Sequence, residues 1–214
     1  MATSRWASVG PVVTGVAGIL LAAGDGTRLG QPKATVKLGG MTLAERGVGL
    51  LRTGGADPVL VVTGAIGVAI PGVTAVHNPD WLSGMGSSLA AGLRALAGGG
   101  DGEPVPGADT VTAAVIALAD QPLIGPAAVG RLIAAHAAGA GVAVAAYEGK
   151  PRNPVLIARV HWATVLGLAS GDTGARPFLR AHPELVTLVE CGDVGRPDDI
   201  DTPQDLARVR GELT

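Results

Sequence analysis

From Leu20 the chain reads Leu-Leu-Ala-Ala-Gly-Asp-Gly-Thr-Arg-Leu-Gly-Gln-Pro-Lys, a glycine-rich turn that carries Arg28 and is closed by Lys33. Such a turn lets backbone N–H groups close around phosphate oxygens while the side chains add positive charge. The spacing Gly24-x-Gly26-x-x-x-Gly30 is neither the dinucleotide fingerprint nor a Walker A loop, which needs Gly-Lys followed by Ser or Thr. A dinucleotide site also wants an acid after the second strand, where this chain has Val62-Thr63-Gly64, so a dehydrogenase is disfavoured.

Asp120 follows the apolar stretch Val111–Leu118, and open α/β sheets bind ligands at the carboxyl ends of their strands. Asp198-Asp199-Ile200-Asp201 sets three more carboxylates ahead of a helix start. With Asp120 they compose an oxygen set of the kind Mg²⁺ takes, although alone they read as caps and a solvated turn. The histidines, His77, His136, His161 and His182, are scattered and read as structural. No Gly-x-Ser-x-Gly elbow occurs, and Ser87 or Ser88 reads as a helix cap rather than a nucleophile. A single cysteine, Cys191, excludes an internal disulfide and a cysteine zinc cluster, and suits a reducing, cytoplasmic setting.

The elements that must position these groups alternate. Val16–Ala23 reads as a buried strand ending in the glycine loop, and Thr42-Leu-Ala-Glu45 as a capping box opening a helix that stops at Gly54-Gly55. Val59–Val62 and Val73–Val76 are strands, and Leu89, Leu93 and Leu96 mark a helix ended by Gly98-Gly99-Gly100. Residues 98–109 read as a surface loop that cannot pack. Val111–Leu118 is the next strand, and Pro126 opens a helix with Val129, Leu132, Ile133 and His136 on one face. Val142–Tyr147 and Pro154–Ala158 form a hairpin-like excursion, Leu185–Val189 a last strand, and Thr202 caps a last helix facing inward with Leu206, Val209 and Leu213. Alternation of this kind predicts a three-layer, Rossmann-like α/β fold with a mostly parallel sheet.

Composition narrows the function. Sixteen basic and eighteen acidic residues give a net charge of -2 in 214 residues, with no block of like charge, so no nucleic-acid partner is expected. Hydrophobic residues make up 47%, yet no run reaches the roughly 18 residues of a membrane span, so no membrane partner is expected either. Arg5 before Val9–Ala23 imitates a signal peptide, but the stretch serves better as the first strand. Residues 1–214 are read as one domain, its N-terminal half for nucleotide and its C-terminal half for acceptor, with no role assigned to residues 1–17.

Five ordered blocks carry a family resemblance: Leu20–Lys33, Asn78–Leu89, Ala119–Pro122, Gly171–Arg176 and Asp199–Pro203. Together they resemble the molybdopterin nucleotidyltransferases, relatives of the sugar-nucleotide pyrophosphorylases, and within them the molybdenum cofactor cytidylyltransferases. The resemblance implies a Mg²⁺-dependent enzyme moving CMP from CTP to a molybdopterin-type acceptor, with release of pyrophosphate and a molybdoenzyme as recipient of the product. It implies that Gly24, Gly26, Arg28 and Lys33 cradle the triphosphate, that Leu21, Ala22, Ala23, Asn78, Gly86, Ser87 and Ser88 meet the nucleotide, and that Arg28, Lys33 and Asp120 are catalytic. Asp120 and Asp201 are the implied metal ligands, Asp199 matching the same pair. Relatives that use GTP carry glycine where this chain has Ala23, which points to CTP.

One departure touches the acceptor half, where relatives read Gly-His-Pro and this chain has Arg152-Asn153-Pro154. Two alternatives therefore stay open: transfer to a sugar phosphate, an alcohol or a phospholactate-like acceptor, and a non-catalytic domain that carries the pterin cofactor.

Overall fold

The computed structural model describes residues 15–99 and 104–212. Expectations for Arg5, the start of Val9–Ala23, the middle of the 98–109 loop and Leu213 fall outside the described residues.

Strand β1 (Gly15–Leu21) leads through the glycine loop to a short hairpin, β2 (Lys37–Leu38) and β3 (Met41–Thr42), and then to helix α1 (Leu43–Thr53). Next come β4 (Val59–Thr63), β5 (Thr74–His77), α2 (Met85–Leu96), β6 (Val111–Leu118) and α3 (Pro126–Ala137). The second half holds the hairpin β7 (Val142–Tyr147) and β8 (Lys150–Ala158), helices α4 (Trp162–Leu168) and α5 (Arg176–Ala181), strand β9 (Val186–Glu190) and helix α6 (Pro203–Glu212).

Seven strands form one sheet in the order β5-β4-β1-β6-β8-β7-β9, with β8 antiparallel to both its neighbours and the other pairs parallel. The chain leaves β1 on one side for β4 and β5, then returns to its other side for β6. The order thus switches between β1 and β6, and a crevice opens outside their carboxyl ends. Both the glycine loop and Asp120 emerge there.

Apolar side chains cover both faces, as the alternation predicted. On one, Val48 and Leu51 of α1 and Val129 and Leu132 of α3 pack over Leu20, Val61 and Val115. On the other, Leu89, Leu93 and Leu96 of α2, Trp162 and Val165 of α4 and Phe178 of α5 pack over Ile19, Leu60 and Ile157. Burial of each such side chain stabilises the fold by about 1.5–3 kcal/mol. Two glycines let helices seat directly on β1: a Cβ at Gly47 would lie 2.5 Å from Leu20, and one at Gly92 2.8 Å from Ile19.

A third cluster, Leu29, Val36, Leu38, Leu43, Ile200, Leu206 and Val209, fastens α6 to the hairpin after the glycine loop. The α6 start is capped as expected: Asp205 N donates to Thr202 Oγ1 at 3.2 Å and Thr202 N to Asp205 Oδ2 at 2.9 Å. The capping box of α1 is also formed, Glu45 N donating to Thr42 Oγ1 at 3.1 Å and Thr42 N to Glu45 Oε2 at 2.7 Å.

Three expectations are corrected. The N-cap of α2 is Gly84, at φ 110°, so Ser87 and Ser88 lie inside the first turns. The left-handed φ at Gly84 ends the turn Trp81–Ser83 and lets the helix begin earlier. Strand β1 stops at Leu21, although Ala22 N still donates to Val62 O at 2.9 Å. Within residues 104–109 Val105 is buried with the α2 face, so that part of the expected loop packs. Helices α4 and α5 were not anticipated at all. Among the described residues no helix is long and apolar enough to cross a membrane.

Candidate active site

Gly26 has φ 64°, and a Cβ there would run into the carbonyl oxygen of Gln31, so the loop folds back on itself only because this residue is glycine. Asp25 Oδ1 steadies it by accepting from Thr27 N at 3.1 Å, and Leu29 anchors it in the third cluster. Arg28 and Lys33 then sit in successive short 3₁₀ turns, on the crevice side of that anchor.

Lys33 Nζ donates to Asp120 Oδ2 at 2.7 Å and also to Asp201 Oδ1, while Arg28 NH2 donates to Asp201 Oδ2 at 3.0 Å. Residues 87 and 168 positions away in sequence thus share one ammonium. Their meeting has a backbone cause: Ile200 N donates to Asp120 O at 2.8 Å, and the Ile200 side chain is fully buried in the third cluster. The turn before α6 is therefore fastened to the end of β6, with Asp199 and Asp201 on either side of the fastening.

The electrostatics follow. Burial pulls the Lys33 pKa down, but Asp120 and Asp201 outweigh it and hold the ammonium above the usual lysine value. The Lys33 hydrogen bond holds the Asp201 carboxyl below the ordinary range, against partial burial. Asp199 is raised, first by desolvation and then by the charge of Asp120, although its surface stays open to solvent; its Oδ1 accepts from Gln121 Nε2 at 2.9 Å. Asp120 Oδ1 is buried and has no hydrogen-bond partner. A buried carboxylate oxygen left without a partner suits a hard cation. Among the described residues no cluster of three or more His, Cys, Asp and Glu side chains suits a metal, so such an ion needs ligand oxygens from a substrate as well.

The crevice encloses about 1430 Å³. Pockets for one drug-sized ligand measure roughly 300–1,000 Å³, so this open crevice is larger than a single-ligand pocket. Leu21, Ala22, Ala23, Gly24, Gly26, Arg28, Lys33, Ser88, Asp120 and Asp201 line it. Asn78, Gly86 and Ser87 stand behind that wall. Asn78 Nδ2 donates to Ser87 Oγ at 2.8 Å and to Ser88 Oγ at 3.0 Å, clasping the start of α2, and a Cβ at Gly86 would lie 2.6 Å from Ser170 N.

Sequence reasoning missed part of the lining. Trp81 lines the crevice, seated against Gly64, where a Cβ would lie 2.5 Å from the indole. Arg180 and Leu188 line it too. The i, i+4 spacing of Arg176 and Arg180 was the available signal for one basic face, but the short α5 that presents it was not anticipated. Cys191 is fully buried, and burial raises its thiol pKa, in keeping with an inert structural cysteine.

Residues 18–186 match the family described as MobA-like NTP transferase domain. A protein of Paenarthrobacter nicotinovorans named nicotine blue oxidoreductase is 38% identical over 91% of this chain and 96% of its own length. An Opitutus terrae protein named "Probable molybdenum cofactor guanylyltransferase" is 49% identical over a shorter stretch, 22% of this chain and 23% of its own. Among solved structures, the Mycobacterium sp. strain JC1 homolog of the Mycobacterium tuberculosis protein Rv0371c is 29% identical, with a TM-score of 0.76 over 92% of this chain and 96% of the other. The match over residues 18–186 spans most of the chain, and the chain belongs to the MobA-like NTP transferase family.

Proposed function

We propose that this protein transfers CMP from CTP to a molybdopterin-type acceptor in the cytoplasm and releases pyrophosphate. The observation that carries the reading is the Lys33–Asp120–Asp201 contact at the switch point of the sheet, with one Asp120 oxygen left unpartnered. Family membership supports nucleotidyl transfer, and a crevice larger than a single-ligand pocket suits two substrates.

In this reading an acceptor phosphate oxygen bonds to the α-phosphorus of CTP, the bond to the β-phosphate oxygen breaks, and pyrophosphate leaves with the electron pair. Attack at phosphorus asks the protein mainly for position and charge neutralisation. Backbone N–H groups of the Gly24–Gly30 loop bind the triphosphate, and Arg28 and Lys33 balance its charge. Leu21, Ala22, Ala23 and Ser88 face the nucleoside, with Asn78, Gly86 and Ser87 holding that wall in place. Asp120 and Asp201 would hold Mg²⁺, which supplies charge neutralisation on the triphosphate. The Ala23 methyl crowds a purine and favours CTP; the guanylyltransferase named above makes GTP the base to test against it.

A second reading, an oxidoreductase acting on nicotine blue, comes from the 38% identity to the protein of that name. Pyrophosphate release from each nucleoside triphosphate, with molybdopterin, a sugar phosphate or an alcohol as acceptor, decides between them. CTP with molybdopterin is expected to give the fastest release. No release from any pair, with reduction of nicotine blue by a reduced donor, would replace the first reading with the second.

A further inference from the structure

The crevice carries cations to which the nucleotide reading gives no role. Arg152 on β8 and Arg176 and Arg180 on α5 all line it. Several other arginines are engaged: Arg131, Arg196 and Arg208 meet carboxylates, and Arg159 donates to backbone carbonyls and lies 5.2 Å over Trp162. By contrast the Arg152 side chain reaches only the carbonyl of its neighbour Pro151, and the guanidinium groups of Arg176 and Arg180 make no hydrogen bond or ion pair with any described residue.

The two sets of charges come from different elements. Arg28 and Lys33 pair with Asp120 and Asp201 at the glycine loop, the end of β6 and the α6 turn, whereas Asp172, in the turn before α5, is the lining acid nearest in sequence to Arg176. Beside them the wall is apolar, formed by Val144, Val155 and Leu188. A phosphate approaching an α-phosphate is repelled by it, and guanidinium groups match phosphate oxygens in a planar, two-pronged way that an ammonium does not.

We infer that Arg176 and Arg180, with Arg152, form an anion clamp that holds the acceptor by a phosphate monoester and selects it against neutral, alcohol-type acceptors. The inference rests on the nucleotidyl-transfer reading and deepens it by assigning the acceptor's charge to named side chains. Arg176 and Arg180 lie one helical turn apart on one face, so a single phosphate can engage both. The apolar wall takes the uncharged body of the same molecule.

The test uses the full chain, with the triphosphate end filled by α,β-methylene-CTP and Mg²⁺, titrated calorimetrically with 6-hydroxymethylpterin phosphate and with its dephosphorylated form. The wild type should bind the phosphate ester more tightly. R176Q combined with R180Q should lose about tenfold in affinity for the ester and nothing for the neutral pterin. R152Q should shift the ester in the same direction. All three side chains are exposed, so the variants should melt as the wild type does. Equal wild-type affinity for the two pterins, or an equal loss for both in the variants, would overturn the clamp. If the ester is preferred and the variants lose that preference while α,β-methylene-CTP fails to bind, the nucleotidyl-transfer reading falls and the acceptor role of the clamp falls with it, leaving the arginines as a phosphate-ester site alone. If the analogue binds and the ester is not preferred, the clamp alone falls.

Discussion

Lys33 donates to Asp120 across 2.7 Å, while the other oxygen of that carboxylate is buried without a hydrogen-bond partner. The lysine thus occupies one side of an acidic pair that it also shares with Asp201. A resident ammonium lowers the cost of holding two half-buried carboxylates so close together, because like charges repel more strongly where water is partly excluded. It also competes with any divalent cation for the same oxygens.

Lys33→Met should therefore act in two directions. Without nucleotide, Mn²⁺ should bind the variant more tightly, because Asp120 has lost its cation and Asp201 keeps Arg28 alone; titration followed by electron paramagnetic resonance measures this. With CTP, the KM should rise about tenfold or more, since a charge-assisted contact contributes roughly 1.5–3 kcal/mol. Unchanged Mn²⁺ affinity would mean that the lysine does not compete for the pair.

Asp120→Asn should abolish most turnover and leave folding intact, since the contact that fastens Ile200 uses the backbone carbonyl of residue 120 and not its side chain. Asp201→Asn should be milder, because an amide oxygen can still ligate a cation. Equal losses in kcat for the two variants, both still folded at the assay temperature, would contradict the unequal roles.

Two aspartates should move stability with pH in opposite senses. Asp201 is held below the ordinary value of 3.8, so its contribution is present above that pH and is lost as pH falls through the lowered pKa. Asp199 is raised above the same value, so its ionisation costs stability that is absent at low pH and appears as pH rises through the raised pKa. Melting temperature against pH should show Asp201→Asn destabilised near neutrality and Asp199→Asn stabilised there, both differences shrinking in acid. A stabilised Asp201→Asn at neutral pH would reverse the assignment.

Ile200→Ala tests how the core positions the site. Its side chain is fully buried, so truncation should cost about 2–5 kcal/mol in denaturant unfolding. It should also raise the KM for CTP by loosening the turn that holds Asp201. Loss of stability with unchanged kinetics would separate the packing from the site.

Base choice is expected to rest on Ala23, which lines the crevice directly after the first strand. The protein should prefer CTP over GTP by about tenfold or more, a methyl-sized difference in a pocket being worth ~1–3 kcal/mol. Ala23→Gly should narrow that preference in kcat/KM, and equal use of both bases by the unaltered protein would contradict it.

Much of this was legible in sequence because local signals coincide with the functional elements. The apolar run into the glycine loop, the Thr42 capping box and the Thr202-Pro203 start each declare a structure through a few adjacent residues. Asp120 was readable as a strand-end acid for the same reason. The contact of Lys33 with Asp201 was not, since it depends on Ile200 docking in a cluster assembled from both ends of the chain. Ser87 and Ser88 misled because serine before an apolar face is a cap signal, whereas the left-handed backbone of Gly84 set the boundary. The arginine face of α5 was hidden because six residues are too few to show a periodic pattern.

The central claim is nucleotidyl transfer, and its most direct measurement follows a label on the α-phosphate of CTP. With molybdopterin and Mg²⁺ present, the label should pass into a dinucleotide product, with one pyrophosphate released per label transferred, and Asp120→Asn should show almost none. A label that stays in CTP with every acceptor offered, while Lys33 and Asp120 variants behave like the wild type, would contradict it.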